Sequence, residues 1–320
     1  MKSTIKTALK HFHRHNTLLP DVYIFTLPRT GSTLLAEILN VNSGGKVCSE
    51  PFALNKENKK VLKHYFPADF LADRYLDLDN QQLNNVLVYL KELSAGKTWN
   101  SFYWSDFPGK DHSFKTKYTI FKLHKLTYLI EEIMQNLQGS GLYMIRHPVS
   151  HSLSRLRNGW DTYNQQFLAS EKIKNSISEQ AAEKAKQVMQ SGSTLDKFVL
   201  SWCLENYVFL KKEKQSNLPN NLFLLTYEKL INNPEQSINE LCKKLNIPFQ
   251  ERMLEKINLP SHGIVHSTDD TKARIRRGES KQLLDKWRQK ISISEEESAF
   301  SILDAFGIDL YRKGDNLPVC

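Results

Sequence analysis

Arg29, Thr30, Gly31, Ser32 and Thr33 put a guanidinium, a glycine and three hydroxyls side by side. That set suits an anion: glycine lets the backbone come close, hydroxyls donate to its oxygens, and arginine offers a charged fork. The elements on either side must aim those groups. Val22 to Phe25 is β-branched and aromatic and is stopped by Pro28, which predicts a buried strand ending in a turn. Leu34, Leu35, Ile38 and Leu39 then recur at helical spacing. A helix that starts here turns its unpaired N–H groups and positive dipole end toward an anionic ligand. The stretch lacks a Walker lysine, so this phosphate cradle does not look built for a nucleoside triphosphate. An ordinary strand-turn-helix junction with a capping serine accounts for the same residues, so a second signal is needed.

Leu142 to Ile145 predicts another strand, ending at Arg146. Pro148 suits the first turn of a helix and Ser154 lies two helical turns further on, so Arg146 and Ser154 could converge on one phosphate. A basic turn with surface serines is the plainer account. Taken together, the two stretches resemble those of sulfotransferases that use 3′-phosphoadenosine 5′-phosphosulfate (PAPS), of the soluble, bacterial or secondary-metabolite type. The resemblance implies a 5′-phosphosulfate loop made by Arg29, Thr30, Gly31, Ser32 and Thr33, and a 3′-phosphate site made by Arg146 and Ser154. Leu222 to Leu230, Asn233-Pro234 and Leu241 to Phe249 are similar to the family's strand, tyrosine-glutamate turn and helix, which implies that Tyr227 contacts adenine. Arg276, Arg277 and Gly278, followed by Trp287, resemble the basic segment that closes over the 3′-phosphate. There the chain departs from the cytosolic members, with arginine as second basic residue and a longer gap to the tryptophan. PAPS is then the cosubstrate and 3′-phosphoadenosine 5′-phosphate (PAP) the product.

Sulfuryl transfer needs a base near the acceptor and positive charge on the leaving phosphate, but no metal. The sequence shows no HExxH, no paired cysteines and no EF-hand loop. Glu50, ahead of Pro51, resembles the base glutamate of protein-tyrosine and several bacterial sulfotransferases. Lys122 and His124 resemble the lysine-x-histidine segment of the cytosolic enzymes, in which the histidine is the base and the lysine meets the sulfonate or its bridging oxygen. An imidazole titrates near neutral pH, which suits it to that work. With both solutions present, one is expected to be the base and the other to position the acceptor. A surface glutamate before a turn and a structural histidine are the bland alternatives. His266 is a third candidate.

The 320 residues predict a single α/β domain over 1–320. Strands at Val22 to Phe25, Thr119 to Lys122, Leu142 to Ile145 and Leu222 to Leu225 alternate with helical patterns. That alternation predicts a P-loop-type parallel sheet flanked by helices on both faces, with ligand loops at the strands' C-terminal ends. Two stretches, about 55–115 and 165–195, depart from the alternation and are expected to be helical insertions; the resemblance implies that they form the acceptor pocket. Trp99, Phe102, Tyr103, Trp104 and Phe107 cluster in the first, as an aromatic wall or as core packing.

No apolar run is long enough to span a bilayer and no signal-peptide centre is present, so a cytoplasmic protein is expected. Cys48, Cys203, Cys242 and Cys320 are scattered, as reduced thiols would be. The net charge of +9 fits an anionic cosubstrate. It also fits nucleic acid, for which no motif is present, so the expected partner is a small-molecule acceptor and not a nucleic acid. A P-loop small-molecule kinase is the alternative enzyme, opposed by the missing lysine and by the lack of a clear acidic magnesium ligand after a strand.

Overall fold

The computed structural model describes residues 14–15, 19–41, 45–67, 75–98, 115–262 and 268–319. Its centre is a five-stranded sheet of β1 (Asp21–Thr26), β2 (Gly45–Ser49), β3 (Tyr118–Leu123), β4 (Gly139–Ile145) and β5 (Leu222–Thr226). The order is β2-β3-β1-β4-β5 and every pairing is parallel. Phe25 stands opposite Leu123 on one side and Tyr143 on the other. β2 was not among the predicted strands. Its sequence, Gly-Lys-Val-Cys-Ser, lacks an apolar run because it lies at the sheet's edge, where only Gly45 and Cys48 are buried.

Alternate residues of β1 enter different cores: Tyr23 and Phe25 one, Val22 and Ile24 the other. Such double burial is why the strand reads as a continuous apolar run. On the Val22 face lie α1 (Ser32–Leu39) and a later amphipathic helix, Pro234–Leu245. The Tyr23 face is covered by α2 (Asn80–Ser94), α3 (Ile130–Asn136), α6 (Thr194–Lys214) and the C-terminal helix Ile293–Ala305. α4 (Pro148–Arg157) follows β4 directly, with Pro148 in its first turn as expected.

Both predicted insertions contain helices. α2 opens on a capping box between Asp79 and Gln82, and α5 (Glu179–Ser191) buries Ala181, Ala185 and Val188 along one stripe. Trp99, Phe102, Tyr103, Trp104, Phe107 and His266 lie outside the described residues. Among the described residues no helix is long and apolar enough to cross a membrane. Cys203 and Cys242 are buried free thiols, and Cys48 is buried as well.

After β1 the chain turns toward β2 and β3, and after β4 it turns toward β5. Neighbouring strands whose connections diverge leave a crevice beyond their C-terminal ends, the usual ligand position in such sheets. Here the crevice opens between the loop after Thr26 and the loop after Ile145.

Candidate active site

The loop after β1 bends through left-handed backbone at Arg29 (φ 74°) and Gly31 (φ 94°). Gly31 caps α1 without a side-chain hydrogen bond, which leaves that helix end to a ligand. A Cβ on Gly31 would sit 2.5 Å from Cδ2 of Tyr227, so only glycine lets the tyrosine ring pack this closely against the loop. Ser32, Thr33 and Tyr227 line the crevice with Arg29. The Thr30 hydroxyl does not face it: that side chain is buried, donates to the Leu27 carbonyl at 2.9 Å and pairs with the Thr26 hydroxyl. Thr26 in turn donates to the Met144 carbonyl at 3.1 Å, tying β1 to β4 beneath the loop.

Arg146, the last residue before the second turn, carries its guanidinium 4.9 Å from the centre of the Tyr227 ring and donates to the Arg29 carbonyl at 3.2 Å. Its own carbonyl accepts from the Trp202 indole at 3.0 Å, so α6 anchors it from below. His151, on the buried side of α4, donates to the Pro28 carbonyl at 2.9 Å. Burial pushes this imidazole down to about 3, so it is a neutral strut. Arg29 Nε donates to Ser154 Oγ at 3.2 Å. Arg29, Arg146, Ser154 and Arg157 thus share one wall of a cleft of about 760 Å³.

Arg276, Arg277 and Gly278 do not join them. The helix Asp269–Arg276 turns Thr271 and Ile275 toward the cleft, which leaves Arg276 and the next two residues exposed on its outer side. Arg277 is held there by Glu279, with Nε to Oε1 at 2.5 Å. The basic side chains that do line the cleft beyond it are Lys286 and Lys290, with Arg157 opposite. Lys290 is held below its ordinary range by burial first, then by the charges of Arg157 and Lys286. Sequence reasoning did not single out these two lysines, one of which directly precedes Trp287.

Glu50 follows β2 in left-handed backbone (φ 51°), with its N–H on the Lys122 carbonyl at 2.8 Å. Its carboxylate meets Lys122 Nζ at 2.9 Å and His124 Nδ1 at 3.5 Å. Lys122 also donates to Thr33 Oγ1 at 3.3 Å, which links this group to the β1 loop. The charge of His124 first, and then Lys122, pulls Glu50 down to about 2 against the opposing effect of burial. Glu50 and His124 line the large cleft and also a second pocket of about 360 Å³. Phe52, Leu123, Lys125, Trp160 and Tyr163 contribute to the second pocket, whose lining comes from the ends of β2 and β3, the loop after α4, Arg155 of α4 and Pro28 of the β1 loop. The described parts of the two insertions supply none of it. Among the described residues no three His, Cys, Asp or Glu side chains gather as a metal site.

A family model described as "Sulfotransferase domain" matches residues 19–295. No curated protein matches the chain. Among solved structures, the sulfotransferase domain from the curacin biosynthetic pathway is similar at 17% identity, covering 92% of this chain and 100% of that one with a TM-score of 0.49. The sulfotransferase domain from the Synechococcus PCC 7002 olefin synthase is similar at 14% identity, with 93% and 97% covered and a TM-score of 0.44. Mouse sulfotransferase SULT7A1, complexed with PAP, is similar at 11% identity, with 93% and 87% covered and a TM-score of 0.42.

Proposed function

This chain belongs to the sulfotransferase domain family, and on that premise we propose how its two connecting spaces divide the work. The reaction is the transfer of a sulfuryl group from PAPS to an acceptor, and the kinase alternative is not favoured. PAPS supplies a sulfonate on a phosphate leaving group. The residues of the larger cleft fit such a ligand: a helix end without a side-chain cap, a glycine that a Cβ would push off Tyr227, and a basic wall. Gly31, Ser32 and Thr33 would hold the 5′ end, Arg146 and Ser154 the 3′-phosphate, and Tyr227 the base. Thr30 would contribute through the loop's backbone alone. Lys286 and Lys290 take the part that the sequence assigned to Arg276 and Arg277.

The smaller pocket holds the acceptor, and its volume of about 360 Å³ suits a small molecule. The observation that carries this reading is the junction itself: Glu50 and His124 line both spaces, and Lys122 lies 2.9 Å from Glu50. Paired with Lys122 Nζ at 2.9 Å, the Glu50 carboxylate is held in its charged form and is a weak proton acceptor at neutral pH. Glu50 therefore orients His124 through Nδ1 and steadies its charged form, and His124 takes the acceptor proton at Nε2. As the new sulfur–oxygen or sulfur–nitrogen bond forms, the bond to the 5′-phosphate breaks, and Lys122 with the α1 N-terminus meets the charge left on that phosphate.

Calorimetric titration with PAP tests the nucleotide half. The wild type is expected to bind, and Arg146→Ala and Ser154→Ala to lose at least tenfold in affinity, the cost of a charge-assisted contact. A folded wild type with neither heat of binding nor thermal shift would overturn the reading. A screen of hydroxyl and amine acceptors with labelled PAPS, read by mass spectrometry, then identifies the acceptor.

A further inference from the structure

Among the described residues, four line both the large cleft and the smaller pocket: Pro28, Glu50, His124 and Trp160. The first belongs to the β1 loop and the next two to the group that handles the acceptor proton. Trp160 belongs to neither. It comes from the loop after α4 and is 39% exposed, a large apolar ring left in contact with water where the two spaces meet. The loop that carries it is fixed from beneath. Gly159 (φ 65°) and Tyr163 (φ 56°) take left-handed backbone on either side of the segment. The Asp161 carbonyl accepts from Arg155 Nη2, and the Thr162 carbonyl accepts from Ser201 Oγ. Arg155 Nη1 stands 2.7 Å from Glu205 Oε1, and Arg155, Ser201 and Glu205 are all buried. An ion pair at that depth adds little net stability over apolar packing, so its worth lies in placement: it sets a donor under the loop that an apolar pair would not supply. Ser201 directly precedes Trp202, whose indole holds the Arg146 carbonyl at 3.0 Å, so one turn of α6 positions both the nucleotide wall and this loop.

Resting on the division of nucleotide and acceptor between the two spaces, we infer that Trp160 is a water-excluding wall of the transfer site, positioned by Arg155, Glu205 and Ser201. A junction that activates an acceptor can activate water in the same way. The water oxygen would bond to sulfur, the bond from sulfur to the 5′-phosphate oxygen would break, one water proton would pass to His124, and PAPS would be lost as PAP and sulfate. The indole, on the wall shared with Glu50 and His124, takes up space such a water needs and offers a flat apolar surface to an acceptor that replaces it.

PAPS alone is the probe. PAP formed without any acceptor is followed chromatographically for wild type, Trp160→Ala and Trp160→Phe, and PAP affinity is measured by calorimetry on the same proteins. Trp160→Ala should hydrolyse PAPS about 5-fold to 10-fold faster than wild type, with PAP affinity changed by less than about threefold because the ring supplies no charge to the phosphates. Retained PAP binding also shows that the variant is folded. Trp160→Phe should lie between the two, since a smaller ring closes part of the gap. Ser201→Ala, which takes the donor from the Thr162 carbonyl, should raise hydrolysis by about twofold to threefold with PAP affinity intact. Unchanged or slower hydrolysis in Trp160→Ala would overturn the inference, as would a gain that survives when His124→Ala is added. A loss of PAP affinity of about tenfold or more in Trp160→Ala would make the ring a support for the nucleotide and overturn it too. Wild-type hydrolysis in Ser201→Ala would overturn the positioning role. A wild type that does not bind PAP instead overturns the assignment of the cleft itself.

Discussion

Glu50→Gln, compared with His124→Ala, separates the base from the group that holds it. The carboxylate has an ordinary value of 4.5 and is drawn down to about 2 in the folded protein. A displacement of that size corresponds to roughly 3 kcal/mol of interaction, most of it with the charge of His124 and then Lys122, and partial exposure of the side chain trims it to about 2 kcal/mol. That energy is shared among the partners, so the charged imidazole that forms during transfer loses only its part of it, on the order of 1–2 kcal/mol, when Glu50 becomes neutral. Glu50→Gln should then lower kcat by about 10-fold with PAP affinity nearly intact, and His124→Ala should lower it by more than about 100-fold. The pH profile decides between roles. Glu50 stays ionised at any pH above about 2, so it cannot produce an acidic limb near neutrality. That limb should survive in Glu50→Gln, shifted toward lower pH because the neighbouring anion is gone, and vanish in His124→Ala. A limb that persists in His124→Ala and disappears in Glu50→Gln would make Glu50 the base and refute the assignment.

The remaining predictions concern the frame around the site. In Gly31→Ala, a Cβ 2.5 Å from the Tyr227 ring at φ 94° forces the ring to move by about 1 Å or strains the backbone by about 1–3 kcal/mol. PAP affinity should fall about tenfold or more by calorimetry, whereas an unchanged Kd would show that Tyr227 does not rest on the loop. Asp21, buried between the Ser94 hydroxyl and the Thr119 N–H, is raised by burial from 3.8 to about 6. Its contribution to stability is present below about pH 4 and lost as pH rises through about 6. Asp21→Asn keeps an acceptor for Thr119 and carries no charge, so its Tm relative to wild type should climb between pH 4 and pH 7. A difference that stays flat across that range would refute the raised value.

The legible part of the fold was the part with strong periodicity. Central strands buried on both faces read as apolar runs, and each predicted run fell inside an observed strand, as Val22 to Phe25 does inside Asp21–Thr26. The edge strand Gly45–Ser49 carries no such run, so Glu50 was found from its context alone and not as the residue that ends a strand. At the site, motif reading located residues whose backbone neighbours are diagnostic: Gly31, Arg146, Ser154, Lys122 and His124 all line the cleft. It misplaced the basic C-terminal group because spacing within one segment says which residues are near each other, not which face of a helix they share. Thr271 and Ile275 take the inward face of their helix, and the arginines that follow are carried outward.

What holds the basic wall in place was beyond local reading altogether. Glu228, 2% exposed, accepts from the His147 N–H at 2.9 Å and from the Tyr311 hydroxyl at 2.6 Å. Burial raises its carboxyl above the ordinary range, and those two donors with the nearby Arg146 oppose the rise. A carboxyl is tolerated at such depth only when its oxygens are satisfied, so the group costs least with the turn after Ile145 and the C-terminal segment both docked. His147 is clamped further, stacked on Trp287 at 4.5 Å between ring centres. These bonds join residues 81 and 83 positions apart, and no repeat or short motif encodes them. Tyr311 therefore helps fix the turn that carries Arg146 into the cleft wall, through a glutamate that does not itself line the cleft.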